Sequence, residues 1–320
     1  MAEKTAVLLL AHGTPDSLDE IPAYLSNITG GRPMPDHVIE EIRHRYSLIP
    51  PSPLTGITME QGRLLADAIQ TPVYVGMRNW KPYIADVVAE MKADGVTHIA
   101  AICLAPQNSR TSVGLYRKVL YAAAEGLTIE FIDGWADHPL LAQAFAERLL
   151  AVLTPFEAET GHRIPVLFTA HSVPCRTVLT PAASETGTQA GTQSPDPYAI
   201  EAKHTATLVA QRAGLEDGQW FFAFQSQGMS GGPWIGPTVE DTLDTLHQQG
   251  VREIVIDPIG FLCDHVEILY DIDIAFKEHA AKLGMTLRRP ESLNASPTLT
   301  AALADVARRA LVALESVHVS

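Results

Sequence analysis

The chain has little cysteine, few cations and no long unbroken apolar run. Its three cysteines, Cys103, Cys175 and Cys263, are scattered through 320 residues outside any CxxC spacing. That excludes a disulfide framework and a cysteine-built zinc site, and it fits a reducing compartment. Lysine and arginine number 23 against 37 acidic residues, a formal charge of −14. This imbalance argues against a nucleic-acid partner and against a polybasic membrane patch. A local group of arginines can still hold an anionic small molecule inside that field. No window reaches the roughly 18 consecutive apolar residues of a spanning helix, and the stretch 301–314 is broken by Asp305, Arg308 and Arg309. The opening MAEKTAVLLLAHGTP has a short apolar run and no signal-peptide cleavage pattern. The expectation is a cytoplasmic protein.

Apolar material is ample. At 46% hydrophobic and 19% charged residues, the composition is that of a packed globular protein with enough for two cores. Its arrangement repeats: a short apolar strand, a turn, then a longer helical segment. Strands are predicted at 6–13, 71–79, 97–106 and 128–135, and again at 164–172, 219–227 and 252–261. A helix is expected from near Ser17. Another carries Ile84, Val87, Val88 and Met91 at helical spacing, and others cover 113–126, 198–214, 239–250 and Asp264 to about Leu283. Continuous apolar strands alternating with helices imply parallel sheets covered on both faces. The fold class is therefore α/β, with two similar doubly wound, Rossmann-like domains, each on a parallel four-stranded sheet. The expected domains are residues 1–145 and 160–296, with the boundary within 135–163 and a final helix at 298–317 packing back on the first.

Ligands of open parallel sheets bind beyond the C-terminal strand ends, which directs attention to the residues there. They include His12, Gln107, His171, Gln225 to Gln227 and the run Gly260 to Glu267. The stretch between Leu179 and Pro195 reads as a mobile loop by composition. GMSGGPWIGP (228–237) has four glycines but matches neither a dinucleotide fingerprint nor a P-loop.

His171 ends a strand and begins a turn, so a rigid backbone can project its imidazole into a cleft as a metal ligand or proton acceptor. A histidine merely bonded within the turn would read the same way. The segment FLCDHVEILYDIDIAF is rich in carboxylates. At about 100° per residue, Glu267 and Asp271 lie roughly 40° apart on one helical face, with Asp264 roughly 60° beyond Glu267. Such a stripe can bind a divalent cation or pass protons. Asp264 followed by Glu267 also has the spacing of a capping box, which leaves Asp271 and Asp273 unexplained. Arg32, Arg45, Arg78 and Arg110 lie in or near loops, where they can grip ligand carboxylates or stay solvated.

Taken together, LLLAHGTP, SPLTGIT (52–58), VYVGMRNWKPYIADVVAEM, LAPQNSRTSVGLY, FTAHSVP, FQSQGMSGGPWIGPTVEDTL and GFLCDHVEILYDID resemble the ferrochelatases, enzymes that insert ferrous iron into a porphyrin. The resemblance runs from about Val7 to about Leu311. It implies a chelatase-type fold with the porphyrin in the cleft between two domains, and a lyase of haem biosynthesis. The histidine of the HS-x-P motif falls on His171 and the glutamate of D-H-x-E-x-L-Y-D on Glu267, as catalytic and metal-binding groups. Asp271 follows as a proton or metal relay. Some relatives carry tyrosine where this chain has His12, which makes an imidazole the candidate facing the metal from the opposite side. They carry histidine at Gln107, and glutamate at Ala275, so an outer relay is expected to be shorter. Arg32, Arg45, Ser52, Gln107 and Trp234 are the candidate porphyrin-binding residues.

No permanently bound cofactor is expected: Fe²⁺ enters as substrate, and the C-terminal cysteines that hold an iron–sulfur cluster in some relatives are absent. The expected partners are coproporphyrin III or protoporphyrin IX and the haem product, with no nucleic acid, no membrane span and a monomeric enzyme. The missing membrane lip leans toward the more water-soluble ring. Competing readings are a chelatase for another metal or tetrapyrrole, such as one inserting cobalt, and a non-catalytic haem or iron carrier using His12 or His171.

Overall fold

The computed structural model describes residues 4–179, 196–228 and 232–316. The loop expected between Leu179 and Pro195 lies outside the described residues, as does part of the glycine-rich stretch after Gly228.

In the first half the order is β1 (Thr5–Ala11), α1 (Ile21–Thr29), α2 (Asp36–Ser47), α3 (Leu54–Ile69), β2 (Val73–Met77), α4 (Ile84–Ala93), β3 (His98–Cys103), α5 (Val113–Ala123) and β4 (Thr128–Ile132). A long helix, α6 (Pro139–Thr160), leads to the second half. There follow β5 (Val166–His171), α7 (Cys175–Leu179), α8 (Tyr198–Ala213), β6 (Trp220–Gln225), α9 (Val239–Gln248) and β7 (Glu253–Asp257). The chain ends with α10 (Val266–Leu269), α11 (Lys277–Lys282), β8 (Thr286–Arg288) and α12 (Pro297–Ser316).

The strands form two four-stranded parallel sheets, ordered β2-β1-β3-β4 and β6-β5-β7-β8, so both halves use one winding scheme. The alternation of β1 shows why its run is continuously apolar. Val7, Leu9 and Ala11 face one core, whereas Ala6, Leu8 and Leu10 face another. Both faces are covered, and each leucine sealed this way contributes about 1.5–3 kcal/mol.

α4 and α5 cover the outer face of the first sheet, and α9 to α11 that of the second. The inner faces share one core, built from α6, α8 and α12 together with residues of both sheets. α12 packs on α3, α6, β3 and β4, and α6 packs on α8 and β7. The interval 135–163 therefore holds α6, whose buried residues include Leu141, Phe145, Leu149, Leu153 and Phe156.

The segment expected as one helix from Asp264 to about Leu283 is three pieces. α10 is followed by a π-helical turn over Asp271–Phe276 and then by α11. Ala275 N–H donates to the carbonyl of Tyr270, five residues back. The turn here is wider, with more residues to each turn and less than 100° per residue, so the simple angular stripe does not hold. Nor is there a capping box. His265 precedes α10 without a side-chain cap bond, and Asp264 is bonded elsewhere.

Candidate active site

In each sheet the central strand is followed in sequence by a crossover to one side, and the next strand is laid on the other. The β1/β3 and β5/β7 ends are thus the switch points where a parallel sheet opens a crevice. A cavity of about 370 Å³ spans both, within the usual size of small-molecule sites. Its lining comes from Ala11–Thr14 at the end of β1, Leu104, Ala105, Gln107, Ser109, Thr111 and Ser112 after β3, His171–Pro174 at the end of β5, and Gly260–Cys263 with His265–Glu267 after β7. Tyr24, Tyr46, Leu54, Thr58, Arg78, Tyr116, Tyr198 and Trp234 complete it.

Two glycines let these loops close on the strands. Gly13 has φ +86°, and a Cβ there would stand 2.8 Å from the Trp80 nitrogen. At Gly260 a Cβ would stand 2.8 Å from the Cα and Cβ of Ala170, so only glycine lets the β7 loop lie against the strand end that carries His171.

His171 leaves β5 with its carbonyl held by the Tyr198 hydroxyl at 2.9 Å. Its Nδ1–H donates to the Ser172 carbonyl, which turns Nε2 toward Glu267 Oε1 at 3.2 Å. The other carboxylate oxygen, Oε2, meets His265 Nε2, also at 3.2 Å, and His265 Nδ1 donates to the Cys263 carbonyl at 3.1 Å. Glu267 is therefore held between two imidazoles. Burial works against a charged His171, but the Glu267 carboxylate, the Ser172 carbonyl and Asp271 outweigh it and raise its pKa to about 9. Burial likewise opposes a charged Glu267, and His171 and His265 overcome it, leaving the carboxyl well below the usual range. At neutral pH the pair is imidazolium and carboxylate.

Asp271 lies beyond, its carboxylate accepting from the Ser226 hydroxyl. Burial, with the nearby Glu267 charge, lifts it to about 6 against that hydrogen bond. Ser226 has φ 60°, an uncommon conformation for serine, and the neighbouring Gln225 donates from Nε2 to the Glu267 carbonyl at 2.9 Å. Asp264, the third member of the expected stripe, and Asp273, which a capping box left unexplained, turn away to a shared partner, Arg289.

Across the cavity His12 is open to the cleft. Asn79 Nδ2 lies 3.1 and 3.3 Å from its two ring nitrogens. Enclosure and the charge of Arg78 hold its pKa far below the ordinary histidine value, so the ring is neutral. Arg78 lines the cavity, packs over the Tyr116 ring at 5.1 Å, and leaves Nε and Nη1 buried without hydrogen-bond partners.

Gln107 and Trp234 line the cavity. Gln107 is buried, its Nε2 donating to Thr205 at 3.2 Å and to the Ile259 carbonyl at 3.4 Å. Arg32, Arg45 and Ser52 are not among the lining residues. Arg32 is exposed, with Nε turned back to the Thr29 carbonyl at 3.0 Å. Arg45 pairs with Glu41 and lies over the Tyr270 ring at 5.3 Å, while the Ser52 hydroxyl is buried without a partner. Sequence reasoning did not single out His265, although it sits inside the acidic motif. It also could not separate Arg78 from the other loop arginines, because which one is enclosed depends on packing by Tyr116.

Two paired parallel sheets with one cleft over both switch points define a two-domain chelatase fold. SirB, the sirohydrochlorin chelatase of Bacillus subtilis subspecies spizizenii in complex with cobalt, superimposes with a TM-score of 0.53 at 12% identity, over 96% of this chain and 95% of that one. SirB from Bacillus subtilis with Fe³⁺ gives 0.59 at 12% identity, over 98% of each.

The sequence comparisons carry this further. The ferrochelatase family profile matches residues 4–311. A ferrochelatase of Acidobacterium capsulatum is 63% identical over 99% of this chain and 97% of its own. One from Deinococcus radiodurans is 39% identical over 95% of each. A coproporphyrin III ferrochelatase of Geobacillus thermodenitrificans is 35% identical over 97% of this chain and 98% of its own. The chain belongs to the ferrochelatase family. It is a metal-insertion enzyme of haem synthesis, with ferrous iron and a porphyrin as substrates and haem as product. Among the described residues no helix is long and apolar enough to cross a membrane.

Proposed function

We propose that His171 and Glu267 are the working pair of iron insertion. The observation that carries this is their 3.2 Å contact at the wall of the cleft, with each group held from behind. Inserting Fe²⁺ requires stripping its water and removing two protons from the pyrrole nitrogens. The resting pair holds one proton, on His171. An arriving cation competes with that proton, because a metal needs the neutral imidazole. Glu267 neutralises charge at the metal, and Asp271 takes the His171 proton and the two pyrrole protons in turn and releases each to water. Arg78 repels a cation on the His12 side and keeps His12 a weak base, so both metal and proton traffic fall to the Glu267 side. His12 then faces the opposite side of the ring without delivering iron.

Iron is a substrate here, and the enzyme works as a cytoplasmic monomer, a reading that its three unpaired cysteines fit. For the porphyrin, we favour protoporphyrin over the more anionic coproporphyrin. Arg78 is the one arginine or lysine among the described lining residues, and Leu54, Val173, Phe261, Leu262 and Val266 offer apolar walls. The name of the Geobacillus relative favours coproporphyrin III instead. Anaerobic initial rates on the two rings decide between them: higher kcat/KM on coproporphyrin overturns the first reading.

The roles are tested with His171→Ala. Insertion of Fe²⁺ is lost while porphyrin binding, followed by fluorescence quenching, is retained. Turnover at the wild-type rate would overturn the assignment.

A further inference from the structure

The strand end before Glu267 has no regular structure of its own to fix it. α10 is only four residues long and starts without a side-chain cap. What fixes the segment is a strap over 289–294, between β8 and α12. The Asp264 carboxylate accepts from Ser292 Oγ at 2.8 Å and from Asn294 Nδ2 at 3.0 Å. In return, Asn294 Oδ1 accepts the Asp264 N–H at 2.9 Å, and the Asn294 N–H donates to the Leu262 carbonyl at 2.8 Å. Asn294 thus grips the segment on both sides of Cys263, one residue before His265 and three before Glu267.

Two further features indicate that this grip is more than local packing. Asn294 has φ 47°, a left-handed backbone that most residues avoid and that asparagine adopts more readily. Its carbonyl accepts from Gln61 Nε2 at 2.7 Å, and Gln61, 2% exposed, belongs to α3 in the first half. The chain from Gln61 through Asn294 to Asp264 therefore ties the catalytic segment to the opposite half of the cleft. A shift of about 1 Å in a reacting group can cost roughly 100-fold in rate.

We propose that Asn294 is a positioning residue for metal insertion, fixing where His265 and Glu267 stand and, through Gln61, registering them on the half of the molecule that carries His12 and Arg78. The inference rests on the assignment of Glu267 as a working group.

Asn294→Gly is the informative variant, because glycine takes φ 47° without strain and loses only the side-chain bonds. Its expected effect is a fall in kcat of roughly 10- to 100-fold, the usual consequence of removing a partner that orients a working group, with the porphyrin Kd held within about two-fold. Gln61→Leu removes the tether alone and lowers kcat in the same sense. A normal kcat in Asn294→Gly overturns the proposal. So does a loss matched by weaker porphyrin binding or by a lowered melting midpoint. Glu267→Gln run alongside separates the two claims: if it turns over normally, the assignment of Glu267 is what fails. If it is inactive and Asn294→Gly is normal, only the positioning role fails.

Discussion

A carboxylate held between two imidazoles fixes the charge of the site. Removing that charge in Glu267→Gln should return His171 from about 9 toward an ordinary histidine value, which an NMR titration of the imidazole reads directly. An unchanged titration would mean that Glu267 is not what raises it. The sign for stability follows. The folded-state value of His171 is raised, so its contribution is complete below the unfolded value of about 6.5 and declines as pH rises to about 9. The variant should lack that decline. Asp257 shifts in the same direction for a different reason. It is buried at the end of β7, its Oδ2 has no partner, and burial alone lifts its pKa to about 8. It favours folding when protonated, so its contribution declines from the unfolded value near 4 as pH rises to about 8. Asp257→Asn should match the wild type in unfolding free energy from urea titration at low pH and exceed it by more than about 1 kcal/mol at pH 8. Equal stability at both pH values would show that a counter-charge is already present.

At the scale of elements, legibility tracked how much of the outcome lay in local pattern. Strands β1, β3, β5 and β7 were readable because both faces are buried, and so was the placement of His171 and Glu267 at their ends. The π turn over Asp271–Phe276 was not. It is set by the tertiary demand that Asp271 reach Ser226 and Asp273 reach Arg289, and the sequence shows only a helical run. α6 went unread because it is wedged between the two halves. Its buried residues include 141, 142, 144, 145 and 146, with no single apolar stripe. β8 is three residues long and carries almost no pattern. Between β7 and α10 the decisive feature is the close approach at Gly260. Gly260→Ala puts a methyl 2.8 Å from Ala170, so the loop must move away from the strand end that holds His171. Destabilisation of about 1–3 kcal/mol in urea is expected from such overpacking, with loss of iron insertion. Full activity at unchanged stability would show that the loop yields without moving the site.

At the scale of the molecule, the halves repeat one topology but do not have separate interiors. One core takes in Val7 and Leu9 of the first sheet, Val166 and Phe168 of the second, and the faces of α6, α8 and α12 between them. The cleft depends on this, because its two rims must stay registered to a fraction of the His171–Glu267 distance while a rigid ring enters. α12 is the clearest case. It follows the second sheet in sequence, yet it buries Leu299, Leu303, Val306 and Leu314 and packs on α3, β3 and β4 of the first. Ending the chain after residue 296 would uncover that surface. At about 1.5–3 kcal/mol per large apolar side chain, the loss is on the order of 5 kcal/mol or more, a large part of a typical folding free energy. The truncated chain should therefore unfold in both halves, not only near its new end. The intact chain should show one calorimetric transition, with calorimetric and van't Hoff enthalpies in agreement. Two resolved transitions, or a truncated chain whose first half keeps its stability, would show that the halves fold independently and that the shared core does not register the cleft.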